Sequence, residues 1–178
     1  MTAFISAGHY NGDSGAIGSG TQENVETIKF RDTIVPILKA RGLHIITDND
    51  NENLAEYLHR IQTGSGSVVL EFHFDSSGSG ASGSTSLVGN DADRLDNAFA
   101  KELVDATSNC LGIPNRGVIS EAQSHRGRLG LMREQGIVSL LEICFIDNQH
   151  DMDAYRKNCY ELALKIAAIV CKYENIVM

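Results

Sequence analysis

Apolar residues in this chain fall into short unbroken runs that alternate with stretches of helical spacing. Ala3-Phe4-Ile5-Ser6-Ala7, Leu43 to Thr47, Ser67 to Phe72 and Ile137 to Ile146 are runs of the first kind. Bounded by glycine and polar residues, they read as strands of a largely parallel sheet with both faces covered. Thr85 to Val88 reads as a further short strand. Between the runs, Val25, Ile28, Phe30, Ile34, Ile37 and Leu38 recur at helical spacing up to Gly42. Leu54, Tyr57, Leu58 and Ile61 mark a short helix, and Leu95, Phe99, Leu103, Ala106 and Cys110 stripe another. The last helix is the clearest, with Tyr155, Cys159, Leu162, Ile166, Ile169, Val170 and Tyr173 on one face. Pro36 lacks an N–H and should kink or break the first helix. Residues 112–136 read as mostly irregular, and the glycine-rich segments 8–20 and 76–84 as loops, the second flexible.

This alternation predicts an α/β three-layer sandwich, with a central, mostly parallel twisted sheet and helices on both faces. A length of 178 residues with 42% hydrophobic content suits one domain over 1–178 with a full core. A net charge of -8 opposes binding to nucleic acid or anionic lipid. No apolar run approaches a membrane span, and the amino terminus does not read as a signal peptide, so synthesis in a cytoplasm without membrane insertion is expected. Cys110, Cys144, Cys159 and Cys171 show no CxxC pairing and read as reduced residues.

The chemistry begins at Glu142, a carboxylate inside the apolar run Leu140-Leu141-Glu142-Ile143-Cys144-Phe145. Burying even a neutral polar group without a partner costs roughly 2 to 7 kcal/mol, and a charge costs more, so such a residue points to a site. The first run delivers Gly8-His9 and the third delivers His73. In open α/β sheets ligands gather beyond the carboxyl ends of the strands, where these three residues would converge. Two imidazoles and one carboxylate suit a single zinc ion with one position left for water. His9 and His73 supply the imidazoles, and Glu23, fourteen residues after His9 at the mouth of the first helix, supplies the carboxylate. Glu142 then suits proton transfer. Taken alone, Glu23 is better explained as a favourable charge at a helix N-terminus, and Glu26 rivals it as a ligand. Glu71 and Asp75 share a strand face with His73 and suit orienting its ring. His44, His59 and His150 read as surface or satisfied histidines. His125, Arg126 and Arg128 read equally as contacts for carboxylates or as a solvated charge cluster. Gly78-Ser79-Gly80-Ala81-Ser82-Gly83 matches GxGxxG but leads into a strand, and HExxH, Walker A and GxSxG patterns do not occur.

These residues resemble the zinc-dependent N-acetylmuramoyl-L-alanine amidases of the type-3 class. The likeness rests on Gly8-His9, Gly15-Ala16 and Glu23, on Glu71-Phe72-His73-Phe74-Asp75, and on Leu141 to Asn148. Arg133 resembles the arginine found shortly before the last strand, and could contact substrate. Tyr10-Asn11, Asp75 and Ile143-Cys144 depart from the usual pattern. The resemblance implies one Zn2+ held by His9, Glu23 and His73, with Glu142 as proton carrier, hydrolysing the bond between N-acetylmuramic acid and L-alanine in peptidoglycan. Leu70 to Ser76 and Leu141 to Asn148 look closest to bacteriophage endolysin catalytic domains. That likeness implies host lysis after release from the bacterial cytoplasm by a partner such as a holin, without a separate wall-binding domain. The alternatives are a zinc carboxypeptidase or deacetylase acting on another amide, and an inactive wall-binding module.

Overall fold

The computed structural model describes residues 2–124 and 127–176. In chain order the elements are β1 (Thr2–Ala7), the two-residue strands β2 (Ile17–Gly18) and β3 (Thr21–Gln22), α1 (Glu23–Ala40), β4 (His44–Thr47), α2 (Leu54–Arg60), β5 (Val68–Asp75), β6 (Ser84–Val88), α3 (Arg94–Leu111), β7 (Asn115–Ser120), β8 (Ile137–Phe145) and α4 (Gln149–Ile176). Six strands form one sheet in the order β4-β1-β5-β8-β6-β7, while β2 and β3 pair as a separate ribbon. The first four strands of that order are mutually parallel. β6 runs antiparallel to β8, and β7 is parallel to β6. The sheet is therefore mostly parallel, as expected, with one reversal beside the Glu142 strand.

Side-chain parity divides the sheet's two faces unequally. Ile5, Leu70, Phe72, Leu141 and Ile143 pack with α1, α3 and α4 in the larger core. The opposite face carries Phe4, Val69, Val138 and Leu140, covered by Tyr57 and Ile61 at α2 and by Leu131 and Met132 from a 3-10 turn at Gly130–Arg133. Parallel register places Ser6 beside Glu71 and His73 beside Glu142, all on this thinly covered face. The polar residues thus lie where the layer above leaves room.

Several local expectations change. α1 runs through Pro36 without a break, because Pro36 and Asp32, whose carbonyl loses its helical donor, both lie on the solvent side. Val25 is exposed, and the buried face of α1 instead includes Glu23, Glu26, Thr27 and Arg31. The segment read as irregular contains β7. As the terminal strand of the sheet it pairs only with β6, and Val118 and Ile119 are its only large apolar residues, so the apolar signal is weak. The Gly/Ser loop after β5 is held by the residues that follow β8: Asp147 accepts from the backbone N–H groups of Ser77 and Gly78, and Asp151 from Gly83. Among the described residues, no helix is long and apolar enough to cross a membrane.

Candidate metal centre

β1 ends at Ala7, and the Gly8 N–H continues the pairing by donating to the Phe72 carbonyl. His9 then adopts a left-handed backbone, with φ of 67°, which turns the chain out over the end of the sheet. Glu23 opens α1, but its carboxylate does not cap its own helix. Oε1 accepts from the Phe74 N–H (3.0 Å) and Oε2 from the Ala16 N–H (2.9 Å), which ties the helix start to β5 and to the glycine-rich loop. Oε1 also lies 2.9 Å from His73 Nδ1, and Oε2 lies 3.2 Å from His9 Nε2. One ligand atom from each of His9, Glu23 and His73 falls within 4.8 Å of the others.

Each imidazole is held from behind by a second carboxylate. His73 Nε2 lies 3.0 Å from Glu71 Oε1, and the Ser6 hydroxyl donates to Glu71 Oε2. His9 Nδ1 lies 2.8 Å from Asp13 Oδ2, while Asp13 Oδ1 accepts from the Gly15 N–H. A carboxylate on the far nitrogen orients the ring, fixes the tautomer and raises the basicity of the nitrogen facing a metal. Two glycines clear the space. A Cβ on Gly8 would lie within 2.5 Å of three atoms of the His73 ring, and one on Gly15 would meet Glu23 Oε2 and His9 Cδ2 at 2.6 Å.

The field at the cluster is negative. Burial opposes ionisation of Glu23, but its hydrogen bonds with His73 and His9 outweigh it and hold the carboxyl far below its ordinary range. For His73, burial disfavours the charged ring, yet Glu23 and Glu71 lift its pKa to about 10. His9 is raised in the same way, against burial, chiefly by Glu23. The same negative field favours a divalent cation, which must displace those protons from the imidazoles in order to bind. Two imidazole nitrogens and a carboxylate oxygen form a donor set that suits zinc, so the residues fit the ion.

The family is decided by extent of match. Residues 3–172 match the model Amidase_3, described as N-acetylmuramoyl-L-alanine amidase. The chain belongs to this family. A curated relative, "Probable autolysin PH" of Staphylococcus aureus (strain NCTC 8325 / PS 47), is 29% identical over 186 residues; the match covers 93% of this chain but 37% of that protein. Two similar solved structures are the amidase AmiC2 of Nostoc punctiforme and the catalytic domain of the CD27L endolysin targeting Clostridia Difficile. The first has a TM-score of 0.79 at 19% identity, covering 97% of this chain and 96% of that one. The second has a TM-score of 0.77 at 18% identity, covering 97% of each. At such identities the structures establish the fold alone.

Within this Amidase_3 fold, the three residues expected to hold metal are brought together. The group that could hold a metal includes Glu23 and not its rival Glu26. Glu142, 2% exposed, stands on the neighbouring strand in register with His73. Glu71 reaches the His73 ring, whereas Asp75 accepts from the Ser76 N–H and, beyond a register irregularity after His73, lines a hollow together with Glu142. Arg133 lies apart, paired with the buried carboxylate of Glu121 and 3.9 Å from Asp91. His44, His59, His150 and Arg128 are exposed, and His125 and Arg126 lie outside the described residues. Sequence reasoning missed Asp13. The signal was there, an acid four residues after His9, but inside Asn11-Gly12-Asp13-Ser14-Gly15 it read simply as a turn former.

The glycine clearance gives a direct expectation. Gly15→Ala adds a methyl against Glu23 and His9 at a residue with φ of 60°, so both ligands must shift. Zinc affinity, measured by competition with a chromogenic chelator, should fall by about ten- to a hundredfold, the range seen when the support behind metal ligands is disturbed. Gly20→Ala, where φ is also positive and a Cβ meets no atom within 4 Å, should leave it nearly unchanged.

Proposed function

We propose that this chain is a zinc-dependent hydrolase of the amide bond between N-acetylmuramic acid and L-alanine in peptidoglycan. The observation that carries the reading is the juxtaposition of the His9, Glu23 and His73 cluster with Glu142, on one sheet face, in a chain of the N-acetylmuramoyl-L-alanine amidase family. Zinc held by these three residues would polarise the amide carbonyl and acidify a water molecule. The protein's own groups do the rest. Glu71 and Asp13 keep the two rings aimed, and Glu23 is fixed by two backbone N–H groups.

In this reading Glu142 is the proton carrier. Its carboxylate takes the proton of the water as the oxygen bonds to the lactyl carbonyl carbon. It returns that proton to the alanine nitrogen as the C–N bond breaks. The products are a free lactyl carboxylate and a peptide with a new amino terminus. A role in phage-driven lysis rests on the resemblance of Leu70 to Ser76 and Leu141 to Asn148 to endolysin catalytic domains. The family match over residues 3–172 carries the name of the bond, so the bond is the part of the reading with the broadest support.

Mass spectrometry of sacculi digested by the zinc-loaded protein tests this. New amino termini at L-alanine are expected. Release of a terminal amino acid would favour a carboxypeptidase, release of acetate a deacetylase, and adsorption without any product a wall-binding module.

A further inference from the structure

Two hollows open on the thinly covered face of the sheet, one on each side of the His73–Glu142 pair. The first, about 360 Å³, lies over β1 and β5 beneath α2; its wall includes His9 and His73 and the carboxylates Asp13, Asp48, Glu52 and Glu71. The second, about 530 Å³, lies toward β6 and β7; its wall includes Glu142, Asp75, Thr85, Gln123 and Arg116. Glu142 belongs to the second wall and not to the first.

We propose that the stem peptide occupies the second hollow, that the lactyl and sugar half occupies the first, and that Arg116 selects a free carboxylate on the second stem residue. The proposal rests on the amidase reading, in which the amide nitrogen must receive a proton before it departs. The donor is Glu142, so the nitrogen and the peptide attached to it face the hollow that Glu142 lines.

Charge points the same way. The second stem residue, a D-glutamate linked through its γ-carboxyl, leaves its α-carboxylate free unless the wall amidates it. Around the first hollow Asp48 and Glu52 already hold Arg31 and Arg60, and Asp13 and Glu71 hold His9 and His73, so its side chains offer that group no unengaged guanidinium. In the second hollow Arg116 offers one, on a wall shared with Asp75 and Glu142. Its guanidinium lies over the Phe145 ring, 5.1 Å from the centroid, which restrains the side chain at the rim. Among the described residues Arg116 has no carboxylate within ion-pair distance, whereas Arg31, Arg60 and Arg133 are all engaged by Asp or Glu. An unengaged, aromatic-backed guanidinium at the edge of a substrate hollow is suited to bidentate recognition of a carboxylate.

The test compares two peptidoglycans that differ only at that residue, one carrying the free α-carboxylate and the other the α-carboxamide. The readout is kcat/KM for release of L-alanine amino termini. The wild-type protein should prefer the carboxylate form. Arg116→Gln should lose about tenfold or more on it, the scale of a lost charge-assisted hydrogen bond, and less than about twofold on the carboxamide form. Arg116→Lys should keep part of the preference, and because Arg116 is exposed all three proteins should unfold at similar temperatures. Equal losses on both substrates, no loss on either, or a wild-type preference for the carboxamide would overturn the assignment of Arg116. A zinc-loaded wild-type protein that releases no L-alanine amino termini from either polymer would overturn the amidase reading itself.

Discussion

Glu142→Gln should lower kcat by about a hundredfold to ten-thousandfold while the protein stays folded and keeps its zinc. That range is what a positioned general acid–base contributes to a proton-transfer step. The substitution preserves shape at a residue only 2% exposed, so packing against β5 and β6 is retained. Gln cannot accept the water proton, so neither half of the cycle proceeds at its normal rate. Zinc should remain near one ion per chain, because Glu142 lies outside the group of three that can reach a common ion. KM should move little, since the loss lies in the chemical step rather than in uniform binding. Metal analysis alongside steady-state kinetics checks both parts. Loss of zinc together with activity would make Glu142 a ligand instead of a proton carrier.

His73→Ala should fail differently. It removes one of the three proposed ligands and, at the same time, the group that sits between two buried carboxylates. Glu23 is 2% exposed and Glu71 3% exposed, and His73 contacts both. Without the ring, Glu23 keeps its two backbone donors and His9, while Glu71 keeps the Ser6 hydroxyl. Breaking a buried charged pair by deleting one partner costs about 3–5 kcal/mol. Urea unfolding in the presence of a chelator, which separates this loss from any metal contribution, should show a destabilisation of that size. Added zinc should restore neither stability nor turnover. An unfolding free energy equal to the wild type's in chelator would mean that Glu23 and Glu71 do not depend on His73.

The strands that carry the site were legible because they are buried on both faces and so read as unbroken apolar runs. Against that background Glu71, His73 and Glu142 stood out as polar residues that needed a reason. Strand direction was less legible. Apolar periodicity reports burial and is the same whichever way a strand runs, so the reversal of β6 against β8 became visible only in the pairing. β7 was hidden because a sheet-edge strand needs few apolar residues. Val25 misled for the opposite reason: it fits a helical stripe, but the core-facing surface of α1 at that end is taken by Glu23, Glu26 and Thr27.

The support behind the ligands was only partly readable. Glu71 could be placed beside His73 by strand alternation, a periodicity local to one segment. Asp13 reaches His9 through a turn whose shape depends on left-handed residues at His9 and Gly15. The clearance at Gly8 depends on His73, more than sixty residues away. Such contacts follow from tertiary approach and leave no spacing rule in the chain.

The most direct test of the central claim is anomalous diffraction at the zinc edge from crystals of the zinc-loaded protein. One peak per chain is expected, bonded to His9, Glu23 and His73, with Glu142 close by but not coordinated. A peak elsewhere, or one that takes Glu142 as a ligand in place of Glu23, would contradict the account.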